Sequence, residues 1–189
     1  ASWAQYSIHE INVSPDLEGP IVQFYDGANI KVYNNGNALT NPAAIGTGQF
    51  LRQANYMWFT MFFKLTDPGI VYSYQGEEEV DGIKFDKLHI SYDSEVTGKE
   101  ENDTYILYIN PETRMVESFY FSLPAFGFPE PILHAQLTYS EVEGIMVITN
   151  RIMTAPSPDG NGRVPIANQD LKNIQFNNGF TTDSFSLSL

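Results

Sequence analysis

GQFLRQANYMWFTMFFKL, residues 48–65, is the most apolar stretch of the chain, and its reading decides the fold. Met57, Trp58, Phe59, Met61, Phe62 and Phe63 stand almost side by side. Neither a period of two nor one of 3.6 therefore separates an apolar face from a polar one. The length of the run, and its Gln49, Leu51, Arg52, Gln53, Ala54 and methionines, favour a helix. A helix apolar nearly all round has to be surrounded by other structure. Thr47 is the expected N-cap, after a loop over Thr40 to Gly46, and Asp67-Pro68-Gly69 is the stop. Arg52, Gln53 and Asn55 leave only about ten continuous apolar residues, too few to span a bilayer. Two readings stay open: the helix is packed core, or some of its side chains line a cavity for an apolar ligand.

Outward from this helix the chain reads as β-strands joined by short turns. Before it, Trp3 to Val13, Pro20 to Tyr25 and Asn29 to Tyr33 are strand-like, with turns at Asp26-Gly27 and at Asn34-Asn35-Gly36-Asn37. After it come Ile70 to Gln75, an acidic turn from Glu77 to Gly82, and a strand from Ile83 to Asp93. The apolar parity of that strand changes after Phe85, which predicts a β-bulge near Asp86-Lys87. Thr104 to Asn110 is apolar on both parities, as a central strand should be, and Asn110-Pro111-Glu112-Thr113 turns it. In Arg114 to Leu123, Phe119, Phe121 and Leu123 share a face. In Ile132 to Val142, Leu133, Ala135, Leu137 and Tyr139 point inward. Pro124 to Pro131 is expected as a rigid loop and Ala155 to Arg163 as a mobile one. Strands over Ile145 to Met153, Asp170 to Asn177 and Phe180 to Leu187 complete the count. The fold expected is mainly β with one central helix (α+β): a curved antiparallel sheet or half-barrel of about ten strands wrapped over an apolar helix.

The length of 189 residues suits one domain. No cysteine is present, which excludes disulfides, thiolate catalysis and Cys-based metal sites. A net charge of −13 repels phosphate backbones and anionic headgroups, so no nucleic-acid partner is expected. Only 17 % of residues are charged, and Asn, Ser, Thr, Gly and Tyr fill the gap, a flavour of extracytoplasmic β proteins. Residues 1–12 carry no signal peptide and open directly in strand-like sequence.

Catalytic chemistry finds little support. His9, His89 and His134 fall on separate strands, without the spacing of a zinc site. There is no GxSxG elbow and no phosphate loop. The acidic groups Glu77, Glu78, Glu79, Asp81 and Glu95, Glu100, Glu101, Asp103 lack EF-hand spacing and read as solvated turns. The expectation is therefore a protein that is not an enzyme and has no cofactor or metal. The informative signal is apolar: Phe119, Phe121, Leu133 and Leu137 on the sheet, with Met57, Trp58, Phe59, Met61, Phe62 and Phe63 on the helix, are the candidate ligand-binding residues.

YDGANIKVY (25–33), LTDPGIVYSYQGEEEVDGIKFDKLHISYD (65–93) and DTYILYINPETRMVESFYF (103–121) together resemble an uncharacterised family of bacterial extracytoplasmic proteins best known from Bacteroidetes. The ending DLKNIQFNNGFTTDSFSL (170–187) is similar to the closing strands of outer-membrane lipoprotein carriers of the LolA and LolB type. These resemblances imply a single half-barrel domain over 1–189, without the carriers' N-terminal helix. They imply a periplasmic or outer-membrane-associated monomer, with any lipid anchor upstream of residue 1. The implied function is to hold a lipid or acyl chain, or an acylated protein, in an apolar cavity between sheet and helix. The alternative is an envelope scaffold or interaction protein with a packed core, working through Phe126-Gly127-Phe128 and Asp159-Gly160-Asn161-Gly162.

Overall fold

The structure is a computed structural model that describes residues 5–9, 18, 19, 21–25 and 28–181. It is mainly β with one main helix, in two compact units: residues 1–62 with 176–189, and residues 63–175.

In the first unit β1 (Gln5–His9), β2 (Ile21–Tyr25), β3 (Ile30–Asn34) and β4 (Asn37–Ala38) form an antiparallel sheet in chain order. Asn35 and Gly36 both have φ near the left-handed region, at 50° and 79°, and close the β3–β4 hairpin that Asn34-Asn35-Gly36-Asn37 leads one to expect. Helix α1 spans Pro42–Lys64, so it begins six residues before the expected start. The Asn41 side chain accepts a hydrogen bond from the Ala43 N–H at 2.8 Å, and Pro42 occupies the first helical position. An Asn-Pro start thus makes helix of residues 42–46, which were expected as part of a loop. The glycine at 48 has a packing reason: a Cβ there would lie 2.9 Å from Val32 Cγ2 and 3.4 Å from Ile30 Cγ1, so the helix lies directly on β3. One turn further on, buried Arg52 donates from Nε to Oε1 of buried Gln23 on β2 at 3.1 Å.

The second unit is a seven-stranded antiparallel sheet, open at both edges among the described residues. Its strands are β5 (Ile70–Val80), β6 (Ile83–Tyr92), β7 (Tyr105–Ile109), β8 (Val116–Leu123), β9 (Phe128–Val142), β10 (Ile145–Pro156) and β11 (Arg163–Asp170). Each strand pairs with its neighbours in sequence. A one-turn helix, α2 (Ser94–Thr97), capped by Asp93, sits in the β6–β7 connection. The 3-10 turn Pro124–Phe126 joins β8 to β9.

Several expected boundaries move, each for a local reason. Glu77, Glu78 and Glu79 belong to β5 rather than to a turn, because Asp81 and Gly82, at φ 51° and 81°, close the hairpin in two residues. The bulge lies across the ladder from the expected place: Tyr74 faces Leu88 but Glu77 faces Asp86, so the extra residue is on β5, where Gly76 has φ 85°. Strand β6 keeps its alternation. Phe85 lies on the face opposite Leu88 and Ile90, edge-on to Tyr108 at 6.1 Å, so both faces of β6 carry apolar residues. The rigid loop after β8 is shorter than expected, since β9 already begins at Phe128. The strand expected over 170–177 is displaced to β11, 163–170. Most of the expected closing strand, Phe180 to Leu187, and most of Trp3 to Val13 lie outside the described residues, as does the turn at Asp26-Gly27.

Candidate ligand-binding face

Register places two apolar rows side by side on one face of the seven-stranded sheet. The first runs Ile90, Tyr105, Phe121, Leu133 across β6 to β9; the second runs Leu88, Leu107, Phe119, Ala135, Met153 across β6 to β10. Alternation along each strand puts every second residue here, and the hairpin turns hold the strands in phase. Leu107 and Ala135 are 0 % exposed, and Phe119 and Phe121 are 1 % exposed. Ring centroids lie 5.8 Å apart for Tyr105–Phe119 and 5.7 Å apart for Phe119–Phe121, the spacing at which aromatic pairs attract.

All four sheet residues expected at a binding site, Phe119, Phe121, Leu133 and Leu137, are brought together on this face. The helix residues are distributed differently. Trp58 and Met61 are buried, Met57, Phe59 and Phe62 are half-buried, and Phe63 is 64 % exposed. The candidate set read from sequence leaves out Tyr105, Leu107, Val116, Ile148 and Met153, which are buried as well; β7 reads as a central strand, but being apolar on both parities it does not show which residues share this face.

Arg151 was also missed. The register between β9 and β10 slips between Ile148 and Asn150, which sets Arg151, rather than Asn150, opposite Leu137 on the apolar face. The bulge is invisible to a simple period-two reading. Burial in this setting pushes the Arg151 guanidinium down to about 10. Tyr92, on the same face and edge-on to Tyr105 at 6.5 Å, is pushed up to about 12, mainly by burial.

The opposite face is polar and aromatic. One row runs His89, Ile106, Tyr120, His134, Thr154, and the next Lys87, Tyr108, Ser118, Gln136, Ile152. His134 lies 4.7 Å from the Tyr120 ring, and the Arg163 guanidinium stands 5.3 Å over that ring. Burial, and then the Arg163 charge, lower the His134 pKa, which favours the neutral imidazole. Arg163 is held by donating to Thr154 Oγ1 and to the carbonyls of Ile132 and Thr154. Glu78 accepts from Lys87 Nζ at 2.8 Å and from Tyr108 Oη at 3.1 Å; these bonds lower its pKa, while burial first and then Glu78 raise Tyr108 to about 12.

Among the described residues no group of three or more His, Asp or Glu is arranged to hold a metal ion, and no helix is long and apolar enough to cross a membrane.

Residues 36–127 match the model of a family of unknown function, DUF6503. None of the curated proteins matches the chain. Among solved structures, a DUF1329 family protein from Desulfovibrio piger ATCC 29098 is similar at a TM-score of 0.50 and 14 % identity, over 97 % of this chain and 75 % of that one. That likeness is one of fold. A putative outer membrane lipoprotein-sorting protein domain from Vibrio parahaemolyticus aligns over 93 % of this chain and 75 % of its own at a TM-score of 0.42 and 8 % identity.

Proposed function

We propose that this protein is a non-enzymatic, extracytoplasmic binding protein that holds a lipid or acyl chain against the apolar face of its seven-stranded sheet. The observation that carries the reading is the pair of in-register apolar rows spanning β6 to β10 on a sheet that stays open at both edges. Most residues of these rows are already buried, so a hydrocarbon reaches them by displacing what covers them, and each methylene it takes out of water contributes about 0.8 kcal/mol towards that cost. The polar, charge-poor composition supports a place in the cell envelope, and the partner is a lipid or an acylated protein.

The test is native mass spectrometry of the protein isolated from its own host, followed by solvent extraction and lipid analysis. A stoichiometric acyl species supports the reading and identifies the ligand class; a clean unliganded mass rejects it.

A second reading, an envelope scaffold with a packed core, is favoured by Phe126. It stands 52 % exposed in the turn between β8 and β9, next to Gly127 at φ 83°. An exposed aromatic of this kind is a suitable anchor for a partner protein.

A further inference from the structure

The two edges of the large sheet are unlike. At the β11 edge Pro165 supplies no N–H, and the register with β10 slips between Met153 and Thr154, so that ladder is interrupted. At the β5 edge the five residues Ile70 to Tyr74 pair in unbroken register with β6 on one side, and among the described residues β5 is the last strand of the sheet. In such a strand alternate N–H and C=O groups point outward with no partner. The side chains along this edge are apolar and exposed: Val71 at 50 %, Tyr72 at 47 % and Tyr74 at 62 %.

Past the bulge at Gly76 the same strand becomes acidic. Glu77 sits directly opposite Asp86, and like charges facing each other across a ladder repel. Of these two carboxylates, Asp86 accepts the Tyr74 hydroxyl at 2.7 Å. Glu78 has Lys87, and Glu79 faces Lys84 across the ladder, so the Glu77–Asp86 pair is the place where a cation from outside would relieve repulsion. Both carboxylates also raise the Tyr74 pKa, after the hydrogen bond from its hydroxyl to Asp86.

We infer that the β5 edge is a docking site for an extended segment of a partner protein, with apolar side chains at alternate positions beside residues 70–74 and an Arg or Lys reaching Glu77 and Asp86. The added strand completes the backbone hydrogen bonds of the edge, and its cation sets the register. This edge borders the apolar face proposed above to hold a lipid, since Tyr72 and Tyr74 stand across the ladder from Ile90 and Leu88, and it binds through its backbone and its carboxylates instead.

The experiment uses labelled octapeptides of alternating valine and threonine, read by fluorescence anisotropy against the whole protein. One carries an arginine pair at its N-terminal end, one at its C-terminal end, and one carries glutamates in place of the arginines. One arginine peptide is expected to bind saturably, and which one gives the strand direction. N-methylation of alternate peptide residues is expected to weaken it at least tenfold. Glu77→Gln, or a rise from 50 to 500 mM salt, is expected to weaken it at least fivefold, and the glutamate peptide should not bind. Binding that survives N-methylation, equal binding of the glutamate peptide, or no saturable binding of any peptide overturns the inference. So does a concentration-dependent dimer that Tyr74→Lys abolishes, because the edge would then belong to a second copy of this chain.

Discussion

The two units hold themselves together by opposite means. In the first, a helix is fitted to a small sheet by the absence of a side chain, with Gly48 against Val32 and Ile30, and by a buried polar bond between Arg52 and Gln23. In the second, a meander of hairpins is held by volume: Phe119, Phe121, Leu107 and Leu133 fill one face almost without exposure. Removing atoms should therefore damage the sheet unit, whereas adding atoms should damage the helix on its small sheet.

The largest expected effect follows from that contrast. Phe119→Ala deletes a ring that is 1 % exposed and packed against both Tyr105 and Phe121, and should cost about 3–5 kcal/mol in urea unfolding. Phe63→Ala removes the same atoms from the exposed end of α1 and should stay within about 0.5 kcal/mol. Equal losses at the two positions would mean that volume on the sheet face is not what stabilises this unit.

Alkali should act on the sheet unit through its buried phenols. Tyr92 is held at about 12 by burial, against an unfolded value of about 10. A folded pKa above the unfolded one means that the native state keeps a proton the unfolded chain releases. The associated stability is intact below about pH 10 and is lost as pH rises from about 10 to 12. The slope for one such group approaches about 1.4 kcal/mol per pH unit, for a total on the order of 2 kcal/mol. Urea midpoints measured from pH 9 to 12 should fall over that window, and Tyr92→Phe should flatten the fall. An unchanged slope in the variant would assign the alkaline loss to other groups, with Tyr108, also raised to about 12, the next to test.

What could be read from the chain follows the same division. Strands inside the sheet were legible because each has a neighbour on both sides and a buried face, so β8 and β9 print their alternation in Phe119, Phe121, Leu133, Ala135 and Leu137, and β7 is marked by being apolar on both parities. The edges were not. Glu77 to Glu79 looked like a turn because an edge strand tolerates charge, and β11 was placed too late because an edge strand tolerates Pro165 and polar neighbours. Bulges were invisible for a related reason: the extra residue in β5 compensates a geometry set by its partner, and the slip near Thr149 that turns Arg151 onto the apolar face leaves no local mark. Of the candidate residues, those on the sheet share one buried face, while exposed Phe63 had no period to separate it from its buried neighbours.

The glycines of α1 carry the finest version of the contrast. Gly46 and Gly48 are two residues apart in one helix, although the first was expected in the loop before it. Around Gly46 a Cβ would meet nothing within 4 Å, and the site is exposed. Gly46→Ala should therefore stabilise by about 1 kcal/mol, the ordinary difference in helix propensity. At Gly48 the same gain is set against a Cβ 2.9 Å from Val32 Cγ2, on a β-branched side chain with little freedom to move. Overpacking of this kind costs about 1–3 kcal/mol, so the sum should be a net loss on the order of 1 kcal/mol. Val32→Ala in the Gly48→Ala background should return part of it, because the clashing methyl is gone, even though Val32→Ala alone destabilises. Thermal melts of the four variants decide the matter. If both glycine variants stabilise, the helix does not sit on β3 as closely as Gly48 requires; if the double variant is simply additive, the Gly48–Val32 contact is not what the added methyl meets.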